Sequence, residues 1–297
     1  MRFLLFLFFS FHLIASENGS GFTAAVSSKI AEFQGDFEIL AKTEKWDEIL
    51  ALGVIALDDA KKLGEIQEEA KICARLTSTC FYQGEYTKAL EYVRRCHELS
   101  EELDPCLFLR ALYLESAIYR AFAAKYDEKE GEELYLKAVE VGEKAANLYL
   151  DKKVDNVNLK GKIYFNLGAA HSDNPRGCLN KAKHCYTVAL ECFNHSRENE
   201  DAVRTCIRLG KVFLLQHEYN LAQEVIDEIR PLVSTKRVSM HLDYLEAQLR
   251  LALKDYAFVR QLAQEGFSKA EALGAKEDRL RFMNLLETIQ LSDNCLP

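Results

Sequence analysis

The sequence predicts an all-α fold, a solenoid of antiparallel helix hairpins, and three observations carry that prediction. Apolar residues recur at helical spacing almost everywhere after the first sixteen residues, and no stretch alternates as a strand does. The 297 residues hold only four prolines and fourteen glycines among abundant Ala, Leu, Glu and Lys. A short pattern also repeats: "EKWDEIL" from 44, "GEYTKAL" from 84, "HEYNLAQ" from 217 and "KDYAFVR" from 254. Each reads as a turn, an acidic residue beside an aromatic, then a small or apolar residue. Trp46 and Tyr86 stand 40 residues apart and Tyr219 and Tyr256 stand 37 apart, a period of helical-hairpin arrays.

The elements follow in order. Helices over 23–42 and 46–63 form the first hairpin; Gly64 after Lys61 and Lys62 is a helix C-terminus. Helices over 66–83 and 86–102 form the second. Asp104 and Pro105 then supply an N-cap and a first helical residue, opening the pair 106–126 and 130–150. The pair 157–172 and 177–195 is interrupted by "SDNPRG", 172–177, the clearest loop. Helices over 199–216 and 219–233 follow, the second cut short or bent by Pro231. The pair 237–253 and 256–273 closes at Gly274, and a single helix over 277–291 covers the end of the stack. Its Leu280, Phe282 and Met283 suit either cap packing or a dimer contact. No polar linker divides residues 23 to 291, so 17–275 reads as one repeat domain and 276–297 as a capping helix and tail.

Residues 1–16, "MRFLLFLFFSFHLIAS", combine an early Arg, an apolar run and small residues at Ala15 and Ser16. This is the layout of a secretory signal cleaved after Ala15 or Ser16. An uncleaved anchor and a misassigned start remain alternatives, and His12 interrupts the run. The nine cysteines point the other way. Cys73 and Cys80, and likewise Cys178, Cys185 and Cys192, are seven apart, about 10 Å along a helix and too far for disulfides within a set. They read as small buried residues of a reducing compartment, so localisation stays open between export and cytoplasm. The sequons at Asn18 and Asn194 read as chance occurrences.

The formal charge of −8 disfavours nucleic-acid binding. No phosphate loop, His-Glu-x-x-His or Gly-x-Ser-x-Gly is present, and the acidic residues follow solvated helix faces. One cluster, Cys178, His184, Cys185, Cys192 and His195, has soft-metal chemistry but lacks the short paired spacing of a zinc module. Core packing is its favoured reading. The sequence therefore implies no enzyme, cofactor or metal.

The run from Leu209 and Gly210 through Phe213, Tyr219, Ala222 and Ile226 resembles the tetratricopeptide repeat family. So does the run of Leu167, Gly168, Ala182, Tyr186 and Ala189, with a turn two residues longer. The segment 70–102 keeps Gly84, Tyr86 and Ala89 but has Thr77 in the place of Gly and Cys96 in the place of the later Ala. The resemblance spans about 30–275 and implies a right-handed superhelix. Gly210 and Ala222 would let paired helices approach closely while Phe213 and Tyr219 fill the space between hairpins. A bulky residue at 210 is expected to cost about 1–3 kcal/mol.

The resemblance further implies that each hairpin's first helix lines a concave groove for a partner. On those helices stand Lys71 and Arg75, Lys162 and Asn166, and Arg204, Arg208 and Lys211. Successive basic pairs inside an acidic protein would attract an acidic segment or a C-terminal carboxylate. Lys71 with Arg75 and Arg204 with Arg208 match the paired-basic part of the family's carboxylate clamp; its Lys and Asn on a preceding first helix are missing. The expectation is a non-catalytic scaffold or adaptor that binds a partner peptide or helix, with a peptide-responsive regulator or sensor as the alternative. Contact with a membrane would come only through the leader.

Overall fold

The computed structural model describes residues 28–126 and 128–293; the leader, the first residues of the first expected helix and Asn18 lie outside them. Within this range the chain forms thirteen α-helices and no strand. They are α1 (Ser28–Lys42), α2 (Trp46–Leu63), α3 (Ile66–Tyr82), α4 (Tyr86–Ser100), α5 (Pro105–Ala123), α6 (Glu128–Asp151) and α7 (Val157–Asp173). There follow α8 (Leu179–Ser196), α9 (Asn199–Leu215), α10 (Tyr219–Ile229), α11 (Lys236–Ala252), α12 (Tyr256–Ala272) and α13 (Lys276–Asp293). Six hairpins, α1/α2 to α11/α12, precede the single α13. No described helix is long and apolar enough to cross a membrane.

The repeated pattern in the sequence is the joint of this architecture. A left-handed residue ends one helix, one residue intervenes, and the next helix begins. The left-handed residues at these joints are Glu44, Gly64, Gly84, Arg197, His217, Lys254 and Gly274, while Lys153, also left-handed, lies in the longer turn before α7. At each joint the N–H of the following residue donates to the carbonyl five positions back, as Glu65 to Ala60 (3.0 Å), Glu85 to Cys80 (2.9 Å) and Glu218 to Phe213 (2.9 Å). This bond satisfies a carbonyl that the helix end would leave orphaned. The same joint serves within hairpins and between them. Asp104 caps α5 by accepting from the Leu107 N–H at 3.0 Å, with Pro105 first in the helix. Asn156 and Thr235 cap α7 and α11 in the same way. At Pro231 the chain tightens into a 3-10 turn, Arg230–Leu232, and α10 ends at Ile229.

The aromatic residue at the start of a second helix docks on the end of the next hairpin's first helix. Trp46 stacks on Tyr82 at 4.7 Å, and Tyr86 meets Phe122 at 5.8 Å. Side-chain amides bridge the same joint: Gln83 donates to Asp47 at 2.7 Å and Gln216 to Asn180 at 3.1 Å. Gly210 refines the expected crossing. A Cβ there would lie 2.7 Å from Leu245 of the next hairpin but 3.4 Å from Val225 of its own, so the tightest approach is between hairpins. Thr77, in the place of a glycine, is wholly buried and turns its hydroxyl back to the Cys73 carbonyl at 2.8 Å.

The first helices also touch one another, α3 with α5, α5 with α7, α7 with α9 and α9 with α11. They form the inner layer of a curved stack, with the second helices outside. α13 closes the stack by burying Phe282, Leu285 and Ile289 against α11 and α12; Leu280 and Met283 stay exposed.

Candidate functional site

Asp173 is the last residue of α7, and this revises the sequence reading, which placed it in the loop. The loop proper begins at Asn174, whose side chain accepts the Arg176 N–H at 2.9 Å. A carboxylate in a helix's last turn opposes the helix dipole; here it is held by cations from neighbouring first helices. Arg120, in the last turn of α5, donates to Oδ2 at 2.7 Å. From α9, Arg208 Nη1 bridges both oxygens at 3.0 and 3.1 Å, and Lys211 Nζ reaches Oδ1 at 2.6 Å. The Asp173 side chain is only 13% exposed. Burial alone would raise its pKa, but the charges of Arg208, Lys211 and Arg120 overcome this and hold it well below the carboxylate range. The Asp173 charge raises the pKa of Arg208, while burial lowers that of Lys211. Behind them Tyr186, fully buried on α8, shares a hydrogen bond with Ser172 at 3.0 Å.

A second charged group adjoins on the inner side. Asp278, in the first turn of α13, faces Arg281 at 3.0 Å, His241 at 3.6 Å and Arg237 at 3.9 Å. Burial lowers the pKa of His241 against the pull of Asp278, and the electrostatic influence of Arg204 and Arg208 adds to the lowering. Arg281 in turn acts on Lys211. The two groups therefore form one field built by α5, α7, α9, α11 and α13. Around Asp173 alone, three cations meet one carboxylate, so this part of the inner surface is positive although the chain is acidic.

The residues expected to line the groove lie on the first helices α3, α7 and α9, and the structure brings Arg208 and Lys211 together at Asp173. The others stand apart from that centre. Lys71 pairs with Glu68 at 2.8 Å. The Arg75 guanidinium lies 4.7 Å over the Phe37 ring and 5.8 Å over that of Phe33. Asn166 turns its amide to the Lys162 carbonyl at 2.8 Å, and Arg204 pairs with Glu200 one turn away at 2.5 Å. Arg120, Asp173, Arg237, His241, Asp278 and Arg281 escaped the sequence reading. The signal available for Asp173 was its unfavourable place at a helix C-terminus.

Cys185 and Cys192 are buried, whereas His184 and His195 on the same helix are exposed, so the cysteine–histidine set does not converge. Cys178 differs from the buried role expected of it: it is exposed, at the N-cap of α8. The described residues contain no group of three or more His, Cys, Asp or Glu placed to hold a metal. All eight described cysteines are free thiols. Burial pushes Cys73 up to about 12 and Cys80, Cys96 and Cys185 up to about 11, which keeps these thiols protonated.

No protein-family model matches the chain, and no curated protein matches its sequence. Solved structures do resemble it. The apo form of RapI is 15% identical, covering 88% of this chain and 99% of that one, with a TM-score of 0.58. A Rap protein complexed with competence and sporulation factor is 12% identical, covering 89% and 75%, with a TM-score of 0.58. The apo quorum sensor NprR from B. thuringiensis is 10% identical, covering 88% and 74%, with a TM-score of 0.53. The fold is a helical-hairpin solenoid of the tetratricopeptide-like kind.

Proposed function

We propose that this chain is a non-catalytic interaction protein that holds a short acidic peptide, or a peptide's C-terminal carboxylate, against its inner helix layer. The observation that carries this reading is the triad of Arg120, Arg208 and Lys211 on the single carboxylate of Asp173. Bonds between charged partners are stronger than neutral ones, and a second anion could share these donors without displacing Asp173. The stacked hairpins preform the surface, so binding need not order the scaffold. Among proteins of this fold, the Rap protein takes competence and sporulation factor and NprR is a quorum sensor. A peptide-responsive module is the second reading, favoured by ion pairs that join hairpins distant in the chain.

The test is binding of synthetic peptides with acidic side chains and a free C-terminus, beside amidated and basic counterparts, to the full chain and to Lys211→Met. This substitution leaves Arg120 and Arg208 on Asp173. Acidic peptides are expected to bind selectively, about tenfold or more weakly to Lys211→Met, and less well in salt. Equal binding of acidic and basic peptides would overturn the reading.

A further inference from the structure

The curved stack is drawn together by charged contacts between elements far apart in sequence. Arg237, near the start of α11, forks onto Glu44 in the turn between α1 and α2, with Nε to Oε1 at 2.9 Å and Nη2 to Oε2 at 2.5 Å. Lys125, just after α5, meets Glu277 in the first turn of α13 at 3.2 Å. Lys125 also lies 4.6 Å over the Tyr86 ring. A line of charge thus runs from the first hairpin through Arg237 and Asp278 to the helix that ends the stack.

The apolar contacts follow a different map. One cluster unites α1 to α8, a second α9 to α11, a third α11 to α13, and two smaller ones join α7 and α8 to α9. None among the described residues joins α1–α6 to α11–α13. Neighbouring hairpins are bonded by buried carbon, and the closure across the stack by acids and bases in partial contact with water. These two kinds of contact differ in their response to salt: screening shortens the reach of charge from about 10 Å at 0.1 M to about 3 Å at 1 M and leaves apolar burial in place.

We infer that Glu44 and Glu277 form a double clasp that holds the superhelix closed by occupying Arg237 and Lys125, and that an acidic ligand opens it by taking those cations. The ligand clause rests on the acidic-peptide reading above; the clasp itself does not. Both acids are surface-accessible, Glu44 at 26% and Glu277 at 53% of the side chain, so replacing them leaves the hairpin cores untouched. A ligand that prefers the open form binds more tightly in proportion to the open population.

The experiment compares the full chain with Glu44→Gln/Glu277→Gln and with Glu44→Lys, using small-angle X-ray scattering for the radius of gyration and circular dichroism for helix content. Hexaglutamate is the binding probe. The expected result is a larger radius in both variants at unchanged helicity, a matching expansion of the parent in 1 M NaCl, and several-fold tighter hexaglutamate binding by the double variant. An unchanged radius in the variants and in salt would overturn the clasp, whatever the peptide does. A larger radius with unchanged hexaglutamate affinity would overturn the exchange with ligand. If hexaglutamate binds neither protein, the acidic-peptide reading and its exchange fail together, while the scattering still decides the clasp.

Discussion

Asp173 joins three helices through one carboxylate, so its replacement tests more than a single contact. In Asp173→Asn the charges of Arg120, Arg208 and Lys211 would face one another inside a poorly hydrated surface. Removing one member of a buried charge group costs about 3–5 kcal/mol, and urea unfolding of the variant is expected to show a loss of this size. Acid should act in two windows. Burial pushes the His97 imidazole down to about 4, whereas an unfolded chain binds that proton near pH 6.5. The folded state binds the proton less readily, so stability is present above 6.5 and is lost as pH falls towards 4. The carboxylate of Asp173 is depressed as well, here by its cations, so its stabilisation is present above the ordinary 3.8 and disappears only on stronger acidification. Melting temperature against pH is expected to fall through the first window, and His97→Gln to flatten part of that fall. His171 and His241, whose pKa values burial also lowers, contribute to the slope that remains. At this scale the sequence was only half legible. Arg208 and Lys211 stood out because they are basic and close together on one helix. Their carboxylate lies 35 and 38 residues earlier, and nothing local ties it to them.

At the scale of the element, the joints were legible and their cost was not. Aromatic residues and acids at fixed places announced where second helices begin, because in four hairpins a left-handed residue, one intervening residue and an aromatic follow one another in that order, as Glu44 to Trp46 and Gly84 to Tyr86. Expected and observed starts therefore agree closely, as at Trp46 and Tyr219, and the 46–63 helix matches at both ends, whereas the helix expected over 219–233 stops at Ile229. The joint needs positive φ, yet Glu44, Arg197, His217 and Lys254 supply it without being glycine. A side chain in this conformation costs about 1–2 kcal/mol. Lys254→Gly is accordingly expected to raise stability by about 1 kcal/mol, read as an upward shift of the melting temperature. Gly35 presents the opposite case: it lies inside α1, exposed, with nothing within 4 Å of an added Cβ. Gly35→Ala should stabilise the chain by about 0.5–1 kcal/mol. The tight approach at Gly210 was visible as a small residue in an apolar run. Its partner was not, because Leu245 belongs to the following hairpin.

At the scale of the molecule, stability passes from hairpin to hairpin, and α13 protects the last of them. Phe282 is 1% exposed and packs so closely on α12 that a Cβ at Gly266 would fall 2.2 Å from its ring. Phe282→Ala should cost about 3–5 kcal/mol. Because each repeat contacts mainly its neighbours, the loss should appear first as faster amide exchange in α12 and α13, with α1 to α8 still protected. The helix count and the end cap could be read from periodicity. The closure of the stack could not, since Glu44 and Arg237 are 193 residues apart. One consequence concerns the chain's history. The joint that turns a hairpin back and the joint that leads to the next one share a backbone conformation at positions 44, 64 and 84. A gene segment copied or lost between two such points would splice like onto like, so the array could change its number of units without having to devise a new junction.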